Sequence, residues 1–130
     1  MDWDRLIQAA TEVREKAYAP YSHFKVGAAL LTEQGEIITG CNVENISFGL
    51  TSCAERNAVF TALADGKRQF KAIAIVADTN DLTAPCGACR QVLAEFNHEL
   101  PVMLANLKGD RQLINLTELL PNPFIETLKQ

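Results

Sequence analysis

The sequence predicts an α/β protein, with one mixed β-sheet held between helical layers. Three observations carry this. Short continuous apolar runs of strand length alternate with longer stretches whose apolar residues repeat at helical spacing. The middle of the chain alternates strand and helix, an order that brings strands into parallel pairing across right-handed crossovers. The first two strands are separated only by a short glycine turn, so they must pair antiparallel.

The elements follow in order. Trp3, Leu6, Ile7, Ala10, Val13 and Ala17 fall on one helical face, which predicts an amphipathic helix over 3–18, ended by "YAPYS" because Pro20 disfavours helix in Ala19. "FKVGAALLT" (24–32) reads as a buried strand, "EQGE" (33–36) as a turn and "EIITGCNV" (36–43) as the returning strand. Residues 53–65 suit a helix with Gly66 as its stop. "KAIAIVAD" (71–78) is a buried strand, and Cys86 to Asn97 reads as a helix behind Pro85. "LPVMLANL" (100–107) and "QLINL" (112–116) are strands around a "KGDR" turn. Thr117 to Leu120 starts a helical turn that Pro121 and Pro123 stop, leaving a short C-terminal tail.

A chain of 130 residues, 48% hydrophobic, fits a single domain spanning 1–130 with a core that needs no disulfides. Its formal net charge of −4 and the lack of any Lys/Arg run argue against nucleic acid as a partner. "MDWDRLIQAA" carries two acids and no apolar run, so neither an export signal nor a membrane anchor is expected. The expected compartment is therefore the reducing cytoplasm, where cysteines serve as metal ligands or catalysts more than as disulfides.

Those cysteines are the most informative feature. Cys86 and Cys89, in "APCGACRQ", have a metal-ligand spacing and share one face of a helix start. Cys53, in "TSCAERNAVF", opens another helix. Helix N-termini favour thiolates, the form that binds metal. Three thiolates leave tetrahedral zinc one ligand short, and an open fourth position is what distinguishes catalytic from structural zinc. Glu55 stands two residues from Cys53, where a carboxylate could move protons.

Plainer readings stand beside these. Cys41 as a fourth ligand would close the site; otherwise it is a small buried hydrophobe. Ser52-Cys-Ala-Glu55 matches a capping box, in which Glu55 would bond back to the helix start. Arg56 could draw charge from the sulfurs by charge-assisted hydrogen bonds, or be an ordinary surface arginine. Asn42 and Glu44, two apart in "CNVEN", share one strand face and suit the hydroxyls of a sugar, or else sit in a solvated loop. His23 and His98 are expected at the surface or satisfied, outside the ligand set.

"YAPYSHFKVGAAL", "CNVEN", "CAERNA", "PCGACRQV" and "ELLP" together resemble the cytidine deaminases of the short, homotetrameric, three-cysteine zinc type. The likeness runs through nearly the whole chain. It implies a three-layer α/β/α sandwich with a mixed five-stranded sheet. It implies hydrolysis of cytidine and 2′-deoxycytidine to the uridine nucleoside and ammonia, in pyrimidine salvage. Carried over, Cys53, Cys86 and Cys89 hold one Zn2+ per subunit, Glu55 is the general acid/base and Arg56 touches the ligand sulfurs. Asn42 and Glu44 face the ribose, and Phe24 lies against the pyrimidine, although core packing would also account for a phenylalanine there. The Ala54 N–H is expected to donate to the ring carbonyl. Phe124 would cover the base in a neighbouring subunit's site, making the active sites shared. Phe48 departs from the tyrosine that many relatives carry, which puts one inter-subunit hydrogen bond in doubt.

Three other functions compete. One is deamination of another aminopyrimidine nucleoside such as blasticidin S, against which the retained "YAPYSHF" and "CNVEN" blocks argue. An editor of RNA or DNA lacks its basic stripe. A zinc-stapled binding module requires Cys41 at the metal. An acidic chain with Glu44 facing the sugar should favour a nucleoside over its 5′-phosphate.

Overall fold

In the computed structural model, which describes residues 1–124, five strands form one mixed sheet in the order β2-β1-β3-β4-β5. The strands are β1 (Val26–Thr32), β2 (Ile37–Cys41), β3 (Phe70–Ala77), β4 (Pro101–Ala105) and β5 (Arg111–Asn115). Helices α1 (Trp3–Arg14), α2 (Ala54–Ala64), α3 (Gly87–Phe96) and the short α4 (Leu116–Leu119) complete it. The C-terminal tail beyond Phe124 lies outside the described residues.

Alternation along the strands splits the core in two. On one face Ala29, Ala72, Ala74, Val76 and Met103 pack with Leu6 and Ala10 of α1. On the other, Ala28, Leu30, Ile73, Ile75 and Val102 pack with Ala58 and Val59 of α2 and Leu93 of α3. The result is the expected α/β/α sandwich, built from period-2 strands that are buried on both faces.

The hairpin β1–β2 is antiparallel, as is β4–β5, and β3–β4 is parallel across α3. β1 also pairs antiparallel with β3. β2 and β3 therefore run in the same direction with β1 inserted between them, so α2 crosses over one intervening strand.

Most boundaries fall within a residue or two of the sequence reading, with local reasons for each shift. The helix expected over 3–18 ends at Arg14. Lys16 and Ala17 make only tightened turns, and Tyr18 then leaves to pair with the chain after β2, its N–H donating to Asn42 O at 3.0 Å. The strand expected from residue 24 starts at Val26, because the Phe24 carbonyl and the Val26 N–H bond the Asn42 side chain. A 3₁₀ turn, Phe48–Leu50, was not foreseen.

Two glycines act as expected of residues without Cβ. Gly66 has φ +79° and ends α2, with Gly66 N–H bonding Leu63 O and Lys67 N–H bonding Ala62 O. Gly40 lets α2 press onto β2: a Cβ there would stand 2.4 Å from Ala58 N and 2.6 Å from Ala54 O. The first turn of α2, which bears Cys53 and Glu55, is thereby seated against the sheet.

Candidate metal centre and active site

The ends of β2 and β3 flank the start of β1, with Cys41 paired to Gly27 and Ala77 to Val26. The loops leaving those two parallel ends lead into α2 and α3, so both helices begin at the same sheet edge. Such an edge, outside the carboxyl ends of parallel strands, is where α/β sheets hold ligands.

Cys53 is the N-cap of α2 and Cys86 the N-cap of α3. Cys89 sits one turn into α3 and is fully buried. The sulfurs of all three lie within 4.8 Å of one another, with Cys53–Cys86 at 3.9 Å and Cys86–Cys89 at 3.4 Å. All are free thiols. Cys41 lies outside this cluster, so the closed four-cysteine reading fails. It is half-buried rather than buried, because it ends an edge strand.

These spacings fit zinc. Sulfurs about 2.3 Å from a tetrahedral centre stand about 3.8 Å apart, within the range seen between these cysteines. Cys86 Sγ already accepts from Cys89 N at 3.5 Å. Arg56 Nη2 donates to Cys53 Sγ at 3.3 Å, and its buried Nε has no partner among the described residues. The guanidinium of this half-buried side chain therefore faces the sulfurs. The Cys53 thiol is held down to about 5, first by the hydrogen bond from Cys89 and then by Arg56. Cys89 is pushed up, first by its bond to Cys53 and then by burial. Negative charge thus gathers on the sulfur nearest the arginine.

Glu55 is 5% exposed and faces the same space. The capping box does not form: the cap of α2 is Cys53, so Glu55 is one position too early to bond back. Ser52 instead donates its hydroxyl to Asn57 Oδ1 at 2.7 Å, and Asn57 Nδ2 donates to Cys41 O at 2.7 Å. Burial, reinforced by the Cys53 charge, pushes the Glu55 carboxyl above its ordinary 4.5.

A cavity of about 270 Å³ opens onto this centre, lined by Phe24, Asn42, Glu44, Cys53, Ala54, Glu55 and Cys86 among others. Asn42 is buried; its Oδ1 accepts from Val26 N at 2.9 Å and its Nδ2 donates to Phe24 O at 2.7 Å. Glu44 accepts from the N–H groups of Tyr21 and Ser22 at 3.0 and 3.1 Å and from the Ser22 hydroxyl. The Ser22 bond holds the Glu44 carboxyl below its usual range. Both side chains thus anchor the 18–25 loop while lining the cavity.

Phe124 is the one candidate placed elsewhere. It is 73% exposed, and its backbone is clamped at both ends by Gln91, through Phe124 N to Oε1 at 3.0 Å and Nε2 to Phe124 O at 2.7 Å. His23 is exposed, and His98 Nε2 lies 3.1 Å from Leu120 O. The sequence reading passed over Asn57 and Thr83. Asn57 had a signal, lying one helical turn after Cys53; Thr83, which lines the cavity from an irregular loop, had none.

The sandwich and its three-cysteine centre define a class of metal-dependent hydrolase-like sites built on paired helix N-termini. The chain belongs to the family described as "Cytidine and deoxycytidylate deaminase zinc-binding region", which it matches over residues 1–105. A cytidine deaminase from Sporosarcina psychrophila is 55% identical over 125 residues, covering 95% of this chain and 92% of that protein. The crystal structure of a cytidine deaminase from Burkholderia pseudomallei superposes with a TM-score of 0.92 at 54% identity, covering 95% of this chain and all of that one. A blasticidin-S deaminase from Bacillus cereus is more distant, 31% identical over 124 residues, which span 89% of this chain and 87% of that protein.

If Arg56 offsets the charge of the sulfurs, Arg56→Gln should lose zinc to a chelator roughly tenfold faster or more readily, as outer partners of metal ligands usually show. Zinc retention and turnover both equal to wild type would rule the role out.

Proposed function

We propose that this chain deaminates cytidine and 2′-deoxycytidine by hydrolysis, giving the uridine nucleoside and ammonia. The observation that carries the reading is the convergence of three cysteine sulfurs and a buried glutamate on one cavity. Cys53, Cys86 and Cys89 would hold one Zn2+ per subunit. When bound there, zinc supplies Lewis-acid activation of water at its remaining open position.

The other steps belong to the protein. Glu55 is buried and its carboxyl is shifted upward, so it can carry a proton closer to neutral pH than an exposed glutamate. As water adds at C4 of the ring, Glu55 takes one of its protons and delivers it to N3; it then takes the proton of the new C4 hydroxyl and passes it to the amine, so that the C4–N bond breaks as C4=O forms and ammonia leaves. The Ala54 N–H, in the first turn of α2, is a donor for the ring carbonyl. Phe24 packs against the base, while Asn42 and Glu44 face the sugar hydroxyls. Arg56 draws charge from Cys53.

The cytidine reading is favoured over a blasticidin-type substrate by 55% against 31% identity to the respective relatives. Glu44, ionised and facing the sugar, favours a nucleoside over its 5′-phosphate. That substrate supports a role in pyrimidine salvage, and the free, clustered cysteines support a reducing, cytoplasmic setting for it. Among the described residues no helix is long and apolar enough to cross a membrane.

The chain acts as one catalytic domain and as a homotetramer with shared sites. Ile46, Phe48 and Leu50 are each more than 70% exposed, and Phe48 lines a second hollow together with Tyr21, Ser22 and Glu44. Apolar side chains gathered at that exposure mark an interaction surface. Phe124, exposed and not among the residues lining its own cavity, is available to a neighbour's. Phe48 meets Tyr21 edge-on at 6.0 Å and offers no hydroxyl across such an interface.

The expected conversion is read by ultraviolet absorbance of cytidine with zinc-loaded protein. Glu55→Ala should lower kcat by about a hundredfold or more while folding and keeping zinc. Near-wild-type turnover in the mutant would remove Glu55 from the chemistry, and comparable turnover of CMP would overturn the nucleoside preference. On dilution, activity per subunit should fall in step with the tetramer fraction measured by sedimentation; a fully active monomer contradicts shared sites.

A further inference from the structure

We propose that Ser22 is a positioning residue that holds the sugar side and the base side of the cavity in register. The inference rests on the reading of Glu44 as an acceptor for a sugar hydroxyl. Glu44 follows β2 and Phe24 precedes β1, so two separate stretches of chain must be fixed relative to each other. A single hydroxyl does this: Ser22 Oγ donates to Glu44 Oε2 and accepts from Phe24 N at 3.0 Å. The Phe24 carbonyl is held by Asn42, so its backbone is tied on both sides.

The intervening residue shows how the chain reaches this arrangement. His23 has φ 59°, the only non-glycine positive φ among the described residues, and its N–H closes back on Ala19 O at 2.9 Å. That turn folds Phe24 N–H over the serine hydroxyl. Side-chain oxygens of serine commonly bond a backbone N–H two residues on.

The consequence for Glu44 is directional. A carboxylate offers about four acceptor positions. The loop fills two on Oε1, from Tyr21 and Ser22 N–H, and one on Oε2, from the Ser22 hydroxyl. The position that remains is on Oε2, the oxygen that Ser22 orients. Ser22 therefore decides where a sugar hydroxyl finds its acceptor, and it touches neither the cysteines nor Glu55.

Ser22→Ala should raise KM for cytidine on the order of tenfold, the scale of one charge-assisted hydrogen bond, with kcat changed by no more than about twofold. Ser22→Thr, which keeps the hydroxyl, should restore most of the loss. In the background of Glu44→Gln, Ser22→Ala should add little, because both act through one acceptor. Should Ser22→Ala fail to fold, Ser22→Cys keeps the size, weakens the donor and carries the same comparison. An unchanged KM in Ser22→Ala with a raised KM in Glu44→Gln overturns the proposal alone. Additive effects, or a fall in kcat without a rise in KM, overturn it as well. An unchanged KM in Glu44→Gln removes the sugar role of Glu44, and the proposal falls with it.

Discussion

Two helix N-termini meet at one edge of this sheet because β2 and β3 run parallel on either side of an antiparallel β1. Everything chemical in the molecule depends on that constraint. Were β2 reversed, α2 would start at the far edge, and Cys53 could not stand 3.9 Å from Cys86, 33 residues further on. The same insertion of β1 puts Val26 and Ile75 on the wall of the cavity, so the metal centre and the binding space are one feature of the topology.

Placing three sulfurs together costs electrostatic free energy, and the surrounding groups offset it. Each helix start directs N–H groups and the positive end of its dipole at the sulfurs. Arg56 adds a full charge beside Cys53. A divalent ion among three thiolates still leaves a net −1, which is why a guanidinium is useful here where neutral imidazole ligands would not need one. Glu55 is the element left at a disadvantage. Its raised pKa means that its contribution to folding is greatest below its ordinary 4.5 and is lost as pH rises through the folded value. The proton-transfer role proposed for Glu55 would account for a buried carboxylate there.

Much of this could be read from the sequence, and the reasons differ by element. Strands such as Phe70–Ala77, apolar at nearly every position, and the hairpin around Gly35 carry strong local signals. The cysteine pair announced itself by spacing, and Cys53 by its place at a helix start. The misplaced boundaries share another cause: residues 15–25 and 42–52 are shaped by contacts between segments distant in sequence, such as Tyr18 with Asn42 and Ser22 with Glu44. Asn42 and Glu44 were placed at the cavity by pattern and resemblance, yet their work as anchors of a loop was invisible. The capping box shows the converse failure. A correct motif went unused because the cap shifted by one residue, to Cys53.

The proposed active site needs three cysteines on zinc and one position left open. X-ray absorption at the zinc edge of the native protein counts the sulfur neighbours directly. Three sulfurs at about 2.3 Å with one light neighbour are expected. A shell of four sulfurs would mean that Cys41, or a cysteine of another subunit, closes the site, and would rule out an open position for water.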